Sequence, residues 1–347
     1  MKIYFTKKTI FPLIIIGILA GLILIAQHSL SIYQIGLLSL VGINAILVIS
    51  LNITNGYTGL FSLAIGGLMG ISAYVSGLLT LSTDYKAINL PDLPQWLIAA
   101  QWPLLPALLV GASITVVIGT LFHWPSLRLK GHYFALASLA FTEIVRLLAS
   151  NMKKITRGAL SLTGVASLSN LWWIYGWLVI EVLVVIQLFR SRHGRALIAI
   201  RDDEGLAQLK GINVAFYKAF AFMISAFFAG VGGALWVHYT NIVSPSSFRL
   251  AVIFTLFIMF TIGGKASISG SIIGAVIITL LPQILRPLEE GSVIFGINVP
   301  ELYGLTQLIL AVFLILLLIK RPQGIFGGRE LSFKWLERQF KGLFSSD

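Results

Sequence analysis

Residues 171–217 read LWWIYGWLVIEVLVVIQLFRSRHGRALIAIRDDEGLAQLKGINVAFY, and the two halves require different solvents. Residues 171–189 hold one acidic or basic side chain, Glu181. The run is long enough for a helix to cross a hydrocarbon core, which takes about 20 apolar residues. Residues 190–217 then form the longest polar stretch in the chain. A greasy run followed by a charged connection is the basic unit of a helical membrane protein.

The same rule applied outward gives ten candidate spans, at roughly 10–26, 33–51, 57–80, 101–121, 132–150, 171–189, 218–239, 249–263, 269–285 and 304–319. The expected fold is all-α, a polytopic transmembrane helical bundle. The eighth and ninth runs are short for a full crossing. The first follows MKIYFTKKT in the manner of a signal peptide, but no small-x-small site comes after Ala26, so it reads as a retained span. Composition agrees. Of 347 residues, 57% are hydrophobic and 11% charged, against the roughly 25% charged residues of soluble domains. The mean hydropathy is +0.92, and such a chain cannot build a charged coat.

The basic residues orient the bundle. With ten spans both termini share one side, and 18 of the 25 Lys and Arg residues fall there, including Arg190, Arg192, Arg195, Arg201, Lys210 and Lys218. The positive-inside rule makes that side cytoplasmic. Lys153, Lys154 and Arg157 in the 150–170 loop run against this bias. Trp96, Trp102, Trp172, Trp173, Trp236 and Tyr239 flank spans at the expected outer interface and Trp124 at the inner one, the depth that amphipathic rings prefer. Because the net charge of +12 sits in short loops, it reads as membrane orientation and not as a nucleic-acid surface.

Several chemistries are excluded. There is no cysteine, hence no disulfide, thiolate metal site or cysteine nucleophile. The five histidines are scattered, and no metal site or catalytic cluster is expected. A phosphate loop GxxxxGK[ST] is absent, since Gly263-Gly264-Lys265 is followed by Ala266 and lacks the first glycine. An ion-coupled secondary transporter, the rival reading, would use ionisable groups inside spans. The candidates are Glu143, Arg146 and Glu181. Glu143 and Arg146 are three apart and can pair on one helix, whereas Glu181 has no sequence-local partner.

The third run is crowded with small residues, which allow close helix approach in lipid. Some of them can instead interrupt the helix and leave backbone groups facing a cavity that holds a polar solute. Gly56, Tyr57, Thr58, Ser62, Gly66, Gly70 and Tyr74 are the candidate pathway residues there, with Tyr133 and Glu143 from the fifth run. In the polar stretch, Ala196, Leu197, Ile200, Leu206 and Leu209 are spaced as one apolar helical face, ended by Gly211. Such a helix between two spans can seat on a soluble partner and pass on its movement.

Residues 190–213 resemble the cytoplasmic coupling loop of LivM-type permeases of branched-chain amino acid and urea ABC importers, whose pattern is SRxGRAxxAIRxDExxAxxxGIN. Ser191, Arg192, Gly194, Arg195, Ala196, Ala199, Ile200, Arg201, Asp203, Glu204, Ala207, Gly211, Ile212 and Asn213 stand in register. The stretches GYTGLFSLAIGGLMGISAY (56–74), GHYFALASLAFTEIVRLLASN (131–151), IGGKASISGSIIGA (262–275) and RPQGIFG (321–327) are similar to further family segments. Ala64-Ile65 and the Ala159, Ser161 and Ala166 of TRGALSLTGVA depart from the pattern near the expected pathway, which bears on the solute and not on the class. The spans make 1–320 a permease domain, and Phe333, Leu336, Phe340 and Leu343 at helical spacing with Lys334, Arg338 and Lys341 between them make 321–347 a cytoplasmic, basic amphipathic tail, lying in the interface or packing on a partner subunit. The resemblance implies a loop that docks on ATPases through Arg195, Arg201, Asp203, Glu204 and Gly211. It further implies a heterodimer with a related second permease subunit, two ABC ATPase subunits that hold ATP and Mg, a periplasmic solute-binding protein, and a bacterial inner membrane. This chain itself would need no cofactor.

Overall fold

In a computed structural model the structure describes residues 27–289 except 128 and 130, with 21, 23–24, 293–294, 297–298, 304–320 and 323–326. The long helices are α1 (Ile32–Asn52), α2 (Ile65–Thr80), α3 (Leu104–Ser126), α4 (His132–Asn151), α5 (Leu171–Arg190), α6 (Arg192–Asp202), α7 (Glu204–Leu209), α8 (Val214–Thr240), α9 (Leu250–Gly263), α10 (Ile268–Glu289) and α11 (Leu305–Lys320). Among the described residues six helices are long and apolar enough to cross a membrane, or seven if α2 and the short helix Thr83–Asn89, bent by 109°, form one span. Nine of the ten expected runs therefore appear as helices. Of these, α9 has 14 residues and α11 has 16. The first run, 10–26, lies almost wholly outside the described residues, as does most of the 321–347 tail.

Helix starts follow side-chain chemistry. Ser31 and Gln34 form a capping box at α1, and Asn170 and Asn213 cap α5 and α8 through the amides of Trp173 and Phe216. The most buried span is α8, which packs against α1, α2 and α3. Glycines set those approaches. A Cβ at Gly233 would collide with the Met69 backbone of α2, and one at Gly230 would press on Ala112 of α3. The Gly-x-x-x-Gly of α10 works likewise: Gly270 and Gly274 let α10 cross the backbone of α9 at Gly263 and Met259. A late segment closes this α9–α10 hairpin. The Ile325 amide donates to the Ile262 carbonyl (2.9 Å) and the Phe326 amide to that of Gly263 (3.3 Å). Gly324, at φ 78°, lies against Gly264.

One end of the bundle carries α6 and α7, and we call it the loop end. The opposite, cap end holds residues 82–102, 152–170 and 241–249, tied by the antiparallel pair Leu162–Thr163 with Ile242–Val243. Two of the basic residues that break the charge bias have local partners here. Arg157 donates to the Tyr85 hydroxyl (2.7 Å) and Lys154 faces Asp92 at 3.8 Å. Lys86 is fully buried and donates to the carbonyls of Leu97 (3.1 Å) and Ala100. Burial pulls its pKa below the ordinary lysine value.

Gly274→Ala is expected to lower the melting temperature in detergent, because its methyl group meets helix backbone that cannot rotate away. Gly176→Ala, with nothing within 4 Å, should instead hold or gain up to about 1 kcal/mol from helix propensity. Equal melting temperatures for the two variants would refute the backbone crossing.

Candidate functional site

Helix α1 does not run on into α2. It ends in a π turn over Ile53–Tyr57, and the chain is non-helical from 58 until α2 begins at Ile65. The expected span over 57–80 is thus broken, and its helical part starts eight residues later. Backbone groups in hydrocarbon need partners within the protein. Here side chains supply them. Asn55 brackets Ser62, accepting from its amide at 2.6 Å and donating to its carbonyl at 3.1 Å. The Leu60 amide reaches back to the Thr54 carbonyl at 2.9 Å. From α4, Ser138 Oγ accepts the Leu63 amide (2.8 Å). Thr142 Oγ1 donates to the Leu63 carbonyl (3.2 Å) and accepts the Gly67 amide (3.3 Å). Asn52 ties the break to the α9–α10 turn through the Ser267 carbonyl (3.0 Å), Ser271 Oγ (2.7 Å) and the Ala266 amide (2.9 Å).

The polar loop is two helices, not the single amphipathic one the spacing suggests. Ser191 caps α6 through the amides of His193 and Gly194, and Asp203 caps α7 through that of Leu206 (3.0 Å). The chain therefore bends at Asp203, and the expected apolar face divides. Ala196, Leu197 and Ile200 are buried, whereas Leu206 and Leu209 are 58% and 85% exposed. Gly211 ends the unit at φ 80°, which favours glycine. Lys218, in the first turns of α8, is buried and binds Glu204 at 2.8 Å. Arg201 pairs with Asp202 at 2.9 Å, and Arg195 lies on the exposed side near the Arg190 carbonyl.

The two elements meet. A cavity of about 200 Å³ is walled by Thr58, Gly59, Leu60 and Phe61 from the break, Phe134 from α4, Arg201, Asp203 and Glu204 from the loop, and Lys218 from α8. Gly59, at φ 71°, abuts Arg201. Displacement of α6–α7 therefore bears directly on the broken span and, through Lys218–Glu204, on α8.

The other pathway candidates are dispersed. Gly56 packs on Asn52, and Tyr57 stacks on Phe189 with ring centroids 3.9 Å apart. Gly66 and Gly70 accommodate Ile253, Thr142 and Phe248, while Tyr74 is buried near Phe248. Tyr133 is exposed in the first turn of α4, and Glu143 pairs with Arg146 at 2.7 Å. Glu181 is fully buried, and both its oxygens lack a hydrogen-bond partner among the described residues. Sequence reasoning missed Asn52, Asn55, Ser138, Thr142 and Lys218. Their signal was present: polar side chains inside apolar runs need a bonding reason to be there.

The profile of the family described as "Branched-chain amino acid transport system / permease component" matches residues 33–319. The chain belongs to this family. As such a permease component it is similar to the high-affinity branched-chain amino acid transport system permease protein LivM of Salmonella typhimurium, 29% identical over 86% of this chain and 71% of that protein. A probable LivM of Methanocaldococcus jannaschii is 25% identical over 82% of this chain and 90% of its own. The permease protein LivH of Escherichia coli is 24% identical over 83% of this chain and 92% of its own. No solved structure matches. This permease component is a multi-pass helical membrane protein, and its relatives are permease proteins of transport systems, a non-catalytic role.

Thr142→Val keeps the shape of α4 but leaves the Leu63 carbonyl and Gly67 amide each short of a partner, at about 1–3 kcal/mol per buried group. The melting temperature should fall, while Thr120→Val, whose hydroxyl has no partner among the described residues, should leave it unchanged.

Proposed function

We propose that this chain is the membrane-spanning permease subunit of an ATP-binding-cassette importer for a small polar solute, a branched-chain or other amino acid, or urea or an amide. The cavity shared by the loop and the broken span carries the reading, because it joins a partner-facing element to an interrupted helix. Leu206 and Leu209 are apolar side chains left bare on a polar loop, as a docking contact requires. The chain carries no phosphate loop, so ATP and Mg act on separate ATPase subunits. The names of the relatives support branched-chain amino acids as solute and a second, LivH-like permease as companion.

In the full proposal ten spans place both termini and the loop in the cytoplasm of a bacterial cell, in the inner membrane. A periplasmic solute-binding protein delivers solute to the cap end. ATPase movement displaces α6–α7, the wall at Thr58–Phe61 follows, and the path opens alternately to each side. Arg195, Arg201, Asp203, Glu204 and Gly211 hold the loop in its docking shape.

The test is transport of amino acids and urea by the assembled complex in vesicles, with ATPase recovery on the permease. Leu206→Asp combined with Leu209→Asp should cut ATPase association at least about tenfold, the equivalent of about 1.4 kcal/mol, while the spans keep their melting temperature. Undiminished association and transport in that variant refute the docking role. The unpartnered Glu181 favours a second reading, ion-coupled carriage by this chain alone. Glu181→Gln should leave ATP-driven transport intact; gradient-driven uptake by the lone chain, lost in Glu181→Gln, would establish the rival.

A further inference from the structure

Helix α4 packs one side against α2 and α3 and leaves the other bare, exposing Leu136, Ala140, Ile144 and Leu147. On the flank of that bare side Arg146 and Glu143 pair through two contacts to one carboxylate oxygen, at 2.7 and 2.8 Å, with 28% and 29% of the side chains exposed. Glu143 is the twelfth residue of a 20-residue helix. At 1.5 Å per residue it lies roughly 17 Å from one end and roughly 12 Å from the other, deep in a hydrocarbon layer about 30 Å thick. Charged side chains at that depth are costly even on the mildest insertion scales, and such groups face protein or a water-filled cavity.

Two further features nearby are poorly matched to a lipid-facing surface. The non-helical stretch 58–64 surfaces at Phe61, 38% exposed, whose ring centroid is 5.3 Å from that of Phe257 in α9. Irregular backbone within a membrane is tolerated only inside protein or beside water. Helix α9 itself, 14 residues long, spans roughly 21 Å and is too short to cross alone. In the interior the two helices flank the start of α2, where buried Ile253 of α9 and Thr142 of α4 both border Gly66. The ion pair, the broken span and the short helix thus lie on neighbouring elements.

We propose that this α4–α9 surface is where a related second permease chain seats, with the Glu143–Arg146 pair turned into the protein-lined seam between the two chains. The inference rests on the permease reading above and adds the face through which the companion binds. The pair then sits beside the broken span, on the seam and not in lipid.

The absence of cysteine makes the test direct. Single cysteines replace Leu136 and Leu147 on α4 and, as controls, Val117 and Leu121 on α3, all exposed apolar positions. Each carries a nitroxide label, and its collision rate with oxygen, which concentrates in lipid, is read in vesicles holding the assembled, transporting complex. Labels at Leu136 and Leu147 should lose most of their oxygen exposure when the companion permease is present, while those at Val117 and Leu121 keep it. Full lipid-like exposure at Leu136 and Leu147 in a transporting complex overturns the assignment and leaves the permease reading standing. Shielding already complete in the chain purified alone overturns it in favour of a second copy of this chain. Transport without any companion is read in the uptake assay and sinks both.

Discussion

A peptide group inside hydrocarbon must find its partner within the protein, and the break between α1 and α2 is built around that demand. Five side chains hold it: Asn52, Asn55, Ser138, Thr142 and Ser62, whose hydroxyl accepts the Ala64 amide at 3.3 Å, supply or receive the bonds that seven residues of non-helical chain cannot make as a helix. Each is expensive to leave unsatisfied, so the break is a single shape and not a loosely frayed end. Because two of the five lie on α4 and one bonds the α9–α10 turn, the position of those helices is set by the same network.

The loop end uses a different economy of contacts. Buried Leu197 and Ile200 anchor α6, Asp203 starts α7 in a new direction, and Lys218 receives Glu204. The outcome is a rigid elbow seated on the broken span with its apolar tips outward. Rigid seating on one side and bare leucines on the other are what a lever between two bodies requires. That shape is what the coupling role proposed above calls for.

Much of the architecture was legible in the sequence, because hydrocarbon thickness imposes a length that apolar runs reveal directly. Nine runs became helices, and Gly270 and Gly274 did what small residues spaced by four do. The break at 58–64 was legible only as an excess of glycine, since its true cause is hydrogen bonding from α4, some eighty residues away. The loop misled in one respect: Leu206 and Leu209 continue the periodicity of Ala196 and Ile200, but an aspartate in extended conformation at position 203 restarts the helix on another axis. Lys153, Lys154 and Arg157 run against the expected charge bias, a rule that counts charges and cannot see that some are engaged locally. Arg157 on Tyr85 and Lys154 beside Asp92 are such cases.

The strap formed by Gly324, Ile325 and Phe326 has a consequence for biosynthesis. It pairs with the carbonyls of Ile262 and Gly263, some sixty residues earlier. Those carbonyls close the final turn of α9, so the hairpin stays unlatched until residue 326 has left the ribosome. A chain cut short before that point would enter the bilayer with α9 and α10 in place and their junction still open, a state that quality-control proteases could recognise.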